Sequence, residues 1–416
     1  MLSPDYFDHK EDRLLELYRQ LENFILKDIT RRLLSAGEMT ATADRLIWKL
    51  KQMGDSQAAI EQKLRKLTGL TQKELRSLLQ DAVLTSWEDD RATLGQLGIE
   101  LSNPLKNAAV IRVMDAEFKK SLGELTNLTR TTMNQAANID LINILDEADL
   151  RVASGVQSYS AAVCDILDRY AGRGIYVDYP SGARRTLEAA VRCCVVTSMN
   201  QTAAQVTNQY IVEGGIEYVL VSKHIGARHS KYGGYVAQHD LWQGKIYKIR
   251  GEDENYPNLL ASTGYDIDPI TGVGKVVNPL GLHGYNCMHS HKPWDLRLRN
   301  PYGEENIEDS EKSRDLYDLK QKQRYYERAI RKTKLQLVGK QAQIDNIAET
   351  DVKEILQRDY DKLAYKMTQQ SKVYNDFCKQ NDLQPQYDRI KVADFGREQT
   401  KQANQGARRY RKEHEK

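Results

Sequence analysis

The chain has 416 residues, of which 61 are Lys or Arg and 58 Asp or Glu, giving a net charge of +3 with 40% apolar residues. That length fits two or three domains of about 150 residues each, and so even a charge balance supplies no overall attraction to nucleic acid. The most apolar stretch, 190–197, is broken by Arg192 and is far shorter than the roughly 20 residues a membrane-spanning helix needs. The opening MLSPDYFDHKED is acidic and polar, unlike a secretory signal or a transit peptide, so a protein made in the cytosol without a membrane anchor is expected.

Residues 1–215 read as almost wholly helical. Leu14, Leu17, Leu21, Phe24 and Ile29 recur at helical spacing and give a first helix one apolar stripe, ended by Ser35 to Gly37. A short second helix carries Trp48 and Leu50. Asp55 caps a third, which Gly69 closes, and the TxxE pattern of Thr71 and Glu74 opens a fourth. Short helices with tight connections pack antiparallel. Longer helical patterns cover 107–138, 156–171 and 181–213; Thr126, Thr129, Thr131 and Thr132 weaken the propensity of the first of these.

Residues 216–300 change character. EYVLVS at 217–222 and KIYKI at 245–249 read as strands, and Gly and Pro become dense from Gly226 to Gly284. Residues 301–416 return to helix. A long charged segment from Asp315 has a thin seam of Leu316, Leu319, Tyr326 and Ile330; a second helix covers 351–380, making a helical hairpin or short coiled arm. The tail GARRYRKEHEK is expected to be disordered. The expected class is α+β and mostly α-helical: a helical N-terminal region (1–215) for docking, a Gly- and His-rich β-containing module (216–300) and a charged helical arm with a basic tail (301–416).

The cysteines, Cys164, Cys193, Cys194, Cys287 and Cys378, form no CxxC pair and no disulfide framework; apart from Cys287 they read as small buried hydrophobes. The 23 tyrosines against 5 phenylalanines suit surfaces that are half apolar and half wet.

His224, His229, His239, His283, His289 and His291, six of the eight histidines, fall in the central module together with Cys287. Three readings compete. In the first, the histidines join Trp242, Gln243, Asn286 and Trp294 in a hydrogen-bonded polar core, since each ring offers a donor and an acceptor. In the second, Cys287 and His289 bind a structural zinc ion through thiolate and imidazole, with His239, or else His224, approaching from the first strand pair. In the third, His283, Asn286 and His289 form an HNH-like nuclease site, although Pro293 leaves little room for the helix that such a site requires. The residues favour the first. No P-loop, GxGxxG, HExxH or GxSxG motif is present.

Several of these residues match a known pattern. Ser222-Lys223-His224, Gly226-Ala227-Arg228, His239-x-x-Trp242-Gln243-Gly244-Lys245 and Gly281-Leu282-x-Gly284-x-Asn286-Cys287-x-His289 resemble the phage minor capsid protein 2 family, which is distantly similar to the Mu F-like head-morphogenesis proteins. The opening Leu2-x-Pro4-x-Tyr6-Phe7 and Tyr325-x-Glu327-Arg328-x-Ile330-Arg331-x-x-Lys334 resemble it too, so the likeness runs in order along essentially the whole chain. In the family pattern the Arg and the His before Trp-Gln-Gly lie close together. Here residues 229–238 separate Arg228 from His239, so His229 is a second candidate for that histidine. The resemblance implies a structural minor capsid protein of a tailed-phage head, assembled in the host cytoplasm and present in a few copies per virion. It implies work at or near the portal in assembly and in genome packaging or delivery, with the portal protein, the major capsid protein and packaged double-stranded DNA as partners, and no enzymatic activity. His224, Arg228, His239, Trp242, Gln243, Asn286, Cys287 and His289 are then a structural cluster. The rival reading is a metal-dependent nuclease or toxin-like enzyme carried in the head.

Basic residues gather in two places. Lys320, Lys322, Arg324, Arg328, Arg331, Lys332 and Lys334 crowd one helix, where a solvated face with Asp318 and Glu327 as partners is the simpler reading. Arg408, Arg409, Arg411 and Lys412 crowd the tail and are candidates for salt-dependent phosphate contacts.

Overall fold

The computed structural model describes residues 1–35, 42–134, 140–153, 158–179, 182–230, 233–251, 253–303 and 307–414. The expected boundaries at Gly37, Asn138, Val156 and Ser181 lie outside the described residues. Within them the class is the one expected, mostly helical with small antiparallel sheets, and no helix is long and apolar enough to cross a membrane.

Helix α1 spans Asp12–Ser35. The next element corrects the sequence reading: Thr42–Gly95 is one continuous helix of 54 residues, α2, and not three short ones. Gly54 and Gly69 sit inside it, as do Asp55, Thr71 and Glu74. A glycine costs a helix interior about 1 kcal/mol relative to alanine, too little to break a helix that buries a long apolar face. Helix α3 (Ala108–Asn134) begins where Asn107 Oδ1 accepts from the backbone N–H of Ala109 at 3.0 Å, an N-cap. Helices α4 (Leu141–Ala153) and α5 (Tyr159–Arg173) follow, the latter capped by Ser158. A hairpin of β1 (Tyr176–Asp178) and β2 (Arg184–Thr186) comes next; β2 falls within the helix expected over 181–213, so that α6 runs from Leu187 to Glu213.

The chain divides into two compact units. The first comprises Met1–Leu14, Thr71–Thr126 and Val191–Gln321. Val83 and Trp87 of α2, Val110 of α3, and Val206 and Tyr210 of α6 make one of its cores. The other lies under a three-stranded antiparallel sheet ordered β4 (Ile246–Lys248), β3 (Tyr218–Val221), β7 (His291–Trp294), in which Val219 faces both Tyr247 and Pro293. A second hairpin pairs β5 (Tyr265–Ile267) with β6 (Gly274–Val276), and the short helices α7 (His239–Trp242) and α8 (Leu259–Thr263) fill in between. Ala204 and Ile211 of α6 meet Val219, Val221, Trp242, Tyr247, Leu259, Tyr265, Leu282 and Cys287 in this core.

The second unit comprises Leu15–Leu70, Asn127–Ala190 and Lys322–Lys416. Its core joins Cys164 of α5 to α9 (Ile307–Asn346) and α10 (Thr350–Gln380) through Leu337, Ile344, Leu356, Tyr360 and Met367. The tail is a correction. Arg397–His414 forms helix α11, whose Ala403 and Ala407 enter the same core. Small residues at 403, 406 and 407 let α11 approach α10, and Arg409 makes a two-pronged ion pair with Asp361 at 2.6 and 2.7 Å. The basic face of α9 is also partly spent inside the unit. Arg331 reaches the buried Glu22 at 2.5 Å and also pairs with Glu188.

Candidate functional site

The floor of the central module is α6, and its polar residues explain how loops so rich in glycine keep one shape. Five amides, Asn200, Gln201, Gln205, Asn208 and Gln209, lie along it at steps of one, three or four residues, so they share a face. Asn200 Nδ2 donates to the carbonyls of Cys287 (2.8 Å) and His289 (2.9 Å). Gln201 holds the carbonyl of His283 at 2.9 Å. Gln205 clasps Gly274 from both sides, donating to its carbonyl at 2.7 Å and accepting from its N–H at 2.9 Å. Gln209 reaches the Thr271 carbonyl. Four of these amides thus satisfy backbone groups of the loops and of the β6 end, while Asn208 binds side chains.

On that floor the signature residues have separate tasks. Gly281 and Gly284 are glycine because backbone occupies the place of a side chain: a Cβ on Gly281 would lie 2.1 Å from the Thr263 carbonyl oxygen, and on Gly284 2.2 Å from that of Pro279. Asn286 adopts a left-handed turn conformation with φ of 52°, which asparagine tolerates, and its side chain is exposed. Trp242 is fully buried and donates from Nε1 to the Val236 carbonyl at 2.9 Å. Arg228 is half-buried and ties down the carbonyls of Leu280 (3.2 Å) and Tyr285.

Three signature side chains converge. His239, at the start of α7, and Cys287 and His289, in the loop leading into β7, are all buried. Their Nδ1, Sγ and Nδ1 atoms lie within 4.8 Å of one another: 3.2 Å between the two nitrogens, and 3.9 and 3.8 Å from sulfur to His239 and His289. The far nitrogens are occupied. His239 Nε2 is 2.7 Å from the Leu280 carbonyl, and His289 Nε2 is 3.0 Å from Gln243 Oε1, an oxygen whose identity is fixed because it also accepts the His224 backbone N–H. The Trp242 indole packs against both rings, and the half-buried His224 ring stacks on His289 at 4.4 Å. Burial lowers the pKa of both imidazoles, that of His239 to about 3, with Arg228 adding to the effect, and burial raises that of the Cys287 thiol. Two imidazole nitrogens and a sulfur aimed at one point are donors suited to a borderline-soft metal ion.

His229 is elsewhere. It pairs with the fully buried Asp240 at 3.1 Å, and Arg314 binds the other oxygen of that carboxylate at 2.8 Å. Of the two histidines flanking residues 230–238, His239 is the one beside Cys287 and His289.

A second imidazole pair sits next to the first. His283 Nε2 and His291 Nδ1 are 2.7 Å apart; His283 Nδ1 meets Asn200 Oδ1 at 3.0 Å, and His291 Nε2 lies 2.9 Å from the Asn208 amide, which also binds Tyr265 Oη. Burial holds both rings neutral, with His291 lowered to about 3. His283, Asn286 and His289, the three residues of the nuclease reading, thus occupy a buried relay, an exposed turn and the three-donor cluster respectively. None lies on a helix.

The sequence reading missed Asn200, Gln201, Gln205, Asn208, Asp240 and Tyr265. The signal for the four amides was present in the run NQTAAQVTNQ, whose amides interrupt an otherwise apolar helix at helical spacing; Asp240 and Tyr265 lie outside it. The tail candidates Arg408, Arg409, Arg411 and Lys412 lie on α11, where Arg409 is engaged by Asp361.

Comparison with known proteins follows the same residues. The profile of the family described as phage minor capsid protein 2 matches residues 2–379. A structural protein of Lactococcus phage LL-H is 26% identical over 230 residues, 53% of this chain and 56% of that protein, so the match spans little more than half of the relative's length. No solved structure matches.

Proposed function

Because the chain belongs to the phage minor capsid protein 2 family, and so is a structural protein of a phage virion, we propose that it acts at or near the portal of the head. Its work there is in assembly and in the packaging or delivery of the genome. The observation that carries this reading is the family match, which spans nearly the whole chain and takes in the helical segments as well as the central module. The helical residues of 1–215 dock on the portal protein and the major capsid protein. The charged helices beyond 301 add contacts, and Arg408, Arg411 and Lys412 meet the phosphates of packaged double-stranded DNA.

The role is structural and not catalytic. The imidazoles of His283 and His289 are buried; both nitrogens of His283 have hydrogen-bond partners, and His289 is held through Nε2 by Gln243. That arrangement suits holding loops in place more than activating water for strand cleavage.

Cross-linking mass spectrometry on intact heads tests the placement. Cross-links from the chain's lysines to the portal protein are expected. Cross-links confined to shell subunits, with none to the portal, would reject the portal reading. A nicking assay with divalent metal on supercoiled DNA tests the absence of turnover, and cleavage lost in His289→Ala would overturn it.

A further inference from the structure

The three converging donors leave an electrostatic debt that hydrogen bonds alone do not settle. Leu280 O can only accept, so His239 Nε2 carries that ring's proton; Gln243 Oε1 is likewise an acceptor, so His289 Nε2 carries the other. Both Nδ1 atoms are therefore lone pairs, and they face each other at 3.2 Å. The Cys287 thiol is the one other donor of the trio, and a single proton serves one lone pair at a time. Its sulfur also lies within reach of the His289 carbonyl, at 3.8 Å. Buried lone pairs set against each other are costly unless a cation lies between them.

Zinc bonds nitrogen at about 2.0–2.1 Å and thiolate sulfur at about 2.3 Å, so in a tetrahedral site the nitrogens stand about 3.3 Å apart and sulfur about 3.6 Å from each. The separations here, 3.2, 3.8 and 3.9 Å, differ from that geometry by a few tenths of an ångström. The carbonyls behind the rings are the outer partners that metal-bound histidines require, because they fix the tautomer and aim the free nitrogen inward. Sulfur and imidazole are poor donors for magnesium or calcium, which take oxygen.

We propose that His239 Nδ1, Cys287 Sγ and His289 Nδ1 bind one zinc ion, which pins α7 to the loop entering β7. Among the described residues no further His, Cys, Asp or Glu joins the trio, so a solvent molecule completes the tetrahedron. On binding, the thiol gives its proton to solvent, the two imidazoles stay neutral, and no electron is transferred. The site belongs to the fold of the module and does not depend on where in the virion the protein acts.

The test uses the full chain purified without chelator. Elemental analysis should find zinc at one equivalent per chain. Replacing it with cobalt should give the near-ultraviolet charge-transfer band of a cobalt–thiolate bond, together with the visible bands of a four-coordinate ion. Cys287→Ser should abolish the charge-transfer band, His289→Gln should lose the metal, and Cys378→Ala, at a buried thiol of the other unit, should keep it. Gln243→Ala removes the acceptor behind His289 and should weaken zinc binding about 10- to 100-fold without abolishing it. Where a variant fails to fold, the cobalt spectrum of the native chain decides, because a sulfur-bound ion identifies its own ligand. The assignment is overturned if native, folded protein takes up no zinc on dialysis against it, if Cys287→Ser keeps the charge-transfer band, or if copper or iron occupies the site instead.

Discussion

Asn200 on α6 and His289 in the loop before β7 are joined at 2.9 Å, and the same amide group takes the Cys287 carbonyl at 2.8 Å and faces His283 through its oxygen. One side chain thus holds two residues of the three-donor cluster by their backbones and one imidazole of the neighbouring pair. Asn200→Leu, close in volume but without polar atoms, would strand two buried carbonyls and one ring N–H. Each orphaned group costs about 1–3 kcal/mol, so a loss of about 4 kcal/mol is expected in urea unfolding. A change below about 1 kcal/mol would mean that the loop does not rely on this amide.

Gly281 and Gly284 should tolerate no side chain. Alanine at either would place a Cβ against backbone oxygen at a separation no rotamer can relieve. Expected is a loss of at least about 3 kcal/mol or failure to accumulate as soluble protein. Gly54 and Gly69 supply the contrast. Nothing lies within 4 Å of a Cβ at either, and both are interior to α2. Alanine there should stabilise by about 0.5–1 kcal/mol, read as a higher melting temperature.

Arg331→Met should be among the costliest single changes in the second unit. Arg331 is buried between Glu22 and Glu188, and Glu188 also takes Arg19 at 2.9 Å. Methionine fills most of the volume but leaves Glu22 without its cation, and a buried charge stripped of its partner costs about 3–5 kcal/mol. The double variant Arg331→Met with Glu22→Gln should recover a good part of that loss. No recovery would show that packing matters here more than charge.

Lys334 offers a pH test. Burial lowers its pKa to about 8, and its ammonium group donates to the Ile390 carbonyl at 3.0 Å. An unfolded lysine titrates near 10.4. Between those values the unfolded chain binds a proton that the folded chain has released, so this residue's contribution to stability rises with pH from about 8 to 10.4 and is lost as pH falls back through 8. The slope reaches at most about 1.4 kcal/mol per pH unit. Urea unfolding of native and Lys334→Met protein at pH 7.5 and 9.5 should therefore show the difference moving in favour of lysine at the higher pH. Parallel behaviour at both would remove the claim.

Much of this architecture was legible from the residues. The strands at 218–221 and 246–248 were readable from β-branched and aromatic runs, and the α9–α10 hairpin from its thin apolar seam. The meeting of His239, Cys287 and His289 was among the readings of the clustered histidines. What escaped the sequence was set by tertiary context. Gly54 and Gly69 looked like stops, but the packing of a long helix outweighs so small a local penalty. Residues 406–414 looked disordered because their charges hide Gly406 and Ala407, which together with Ala403 seat α11 on α10. The tyrosines read as surface residues, yet Tyr210, Tyr247, Tyr265, Tyr360 and Tyr374 are among the largest fully buried side chains, and Tyr210 and Tyr247 end on backbone carbonyls. An aromatic ring that carries its own hydroxyl can fill a core and satisfy an irregular backbone at once, a role composition alone does not reveal.

The amide-bearing helix precedes every loop it supports in the order of synthesis. As the chain leaves the ribosome, α6 is complete before residues 270–291 emerge, so those residues meet a template already carrying the groups their backbones need. A circular permutant that opened the chain between α6 and β3 and placed the helix last would have the same contacts in its final state. Its glycine-rich segment would have to wait without shape until the helix arrived, and that interval would be its period of greatest exposure to aggregation.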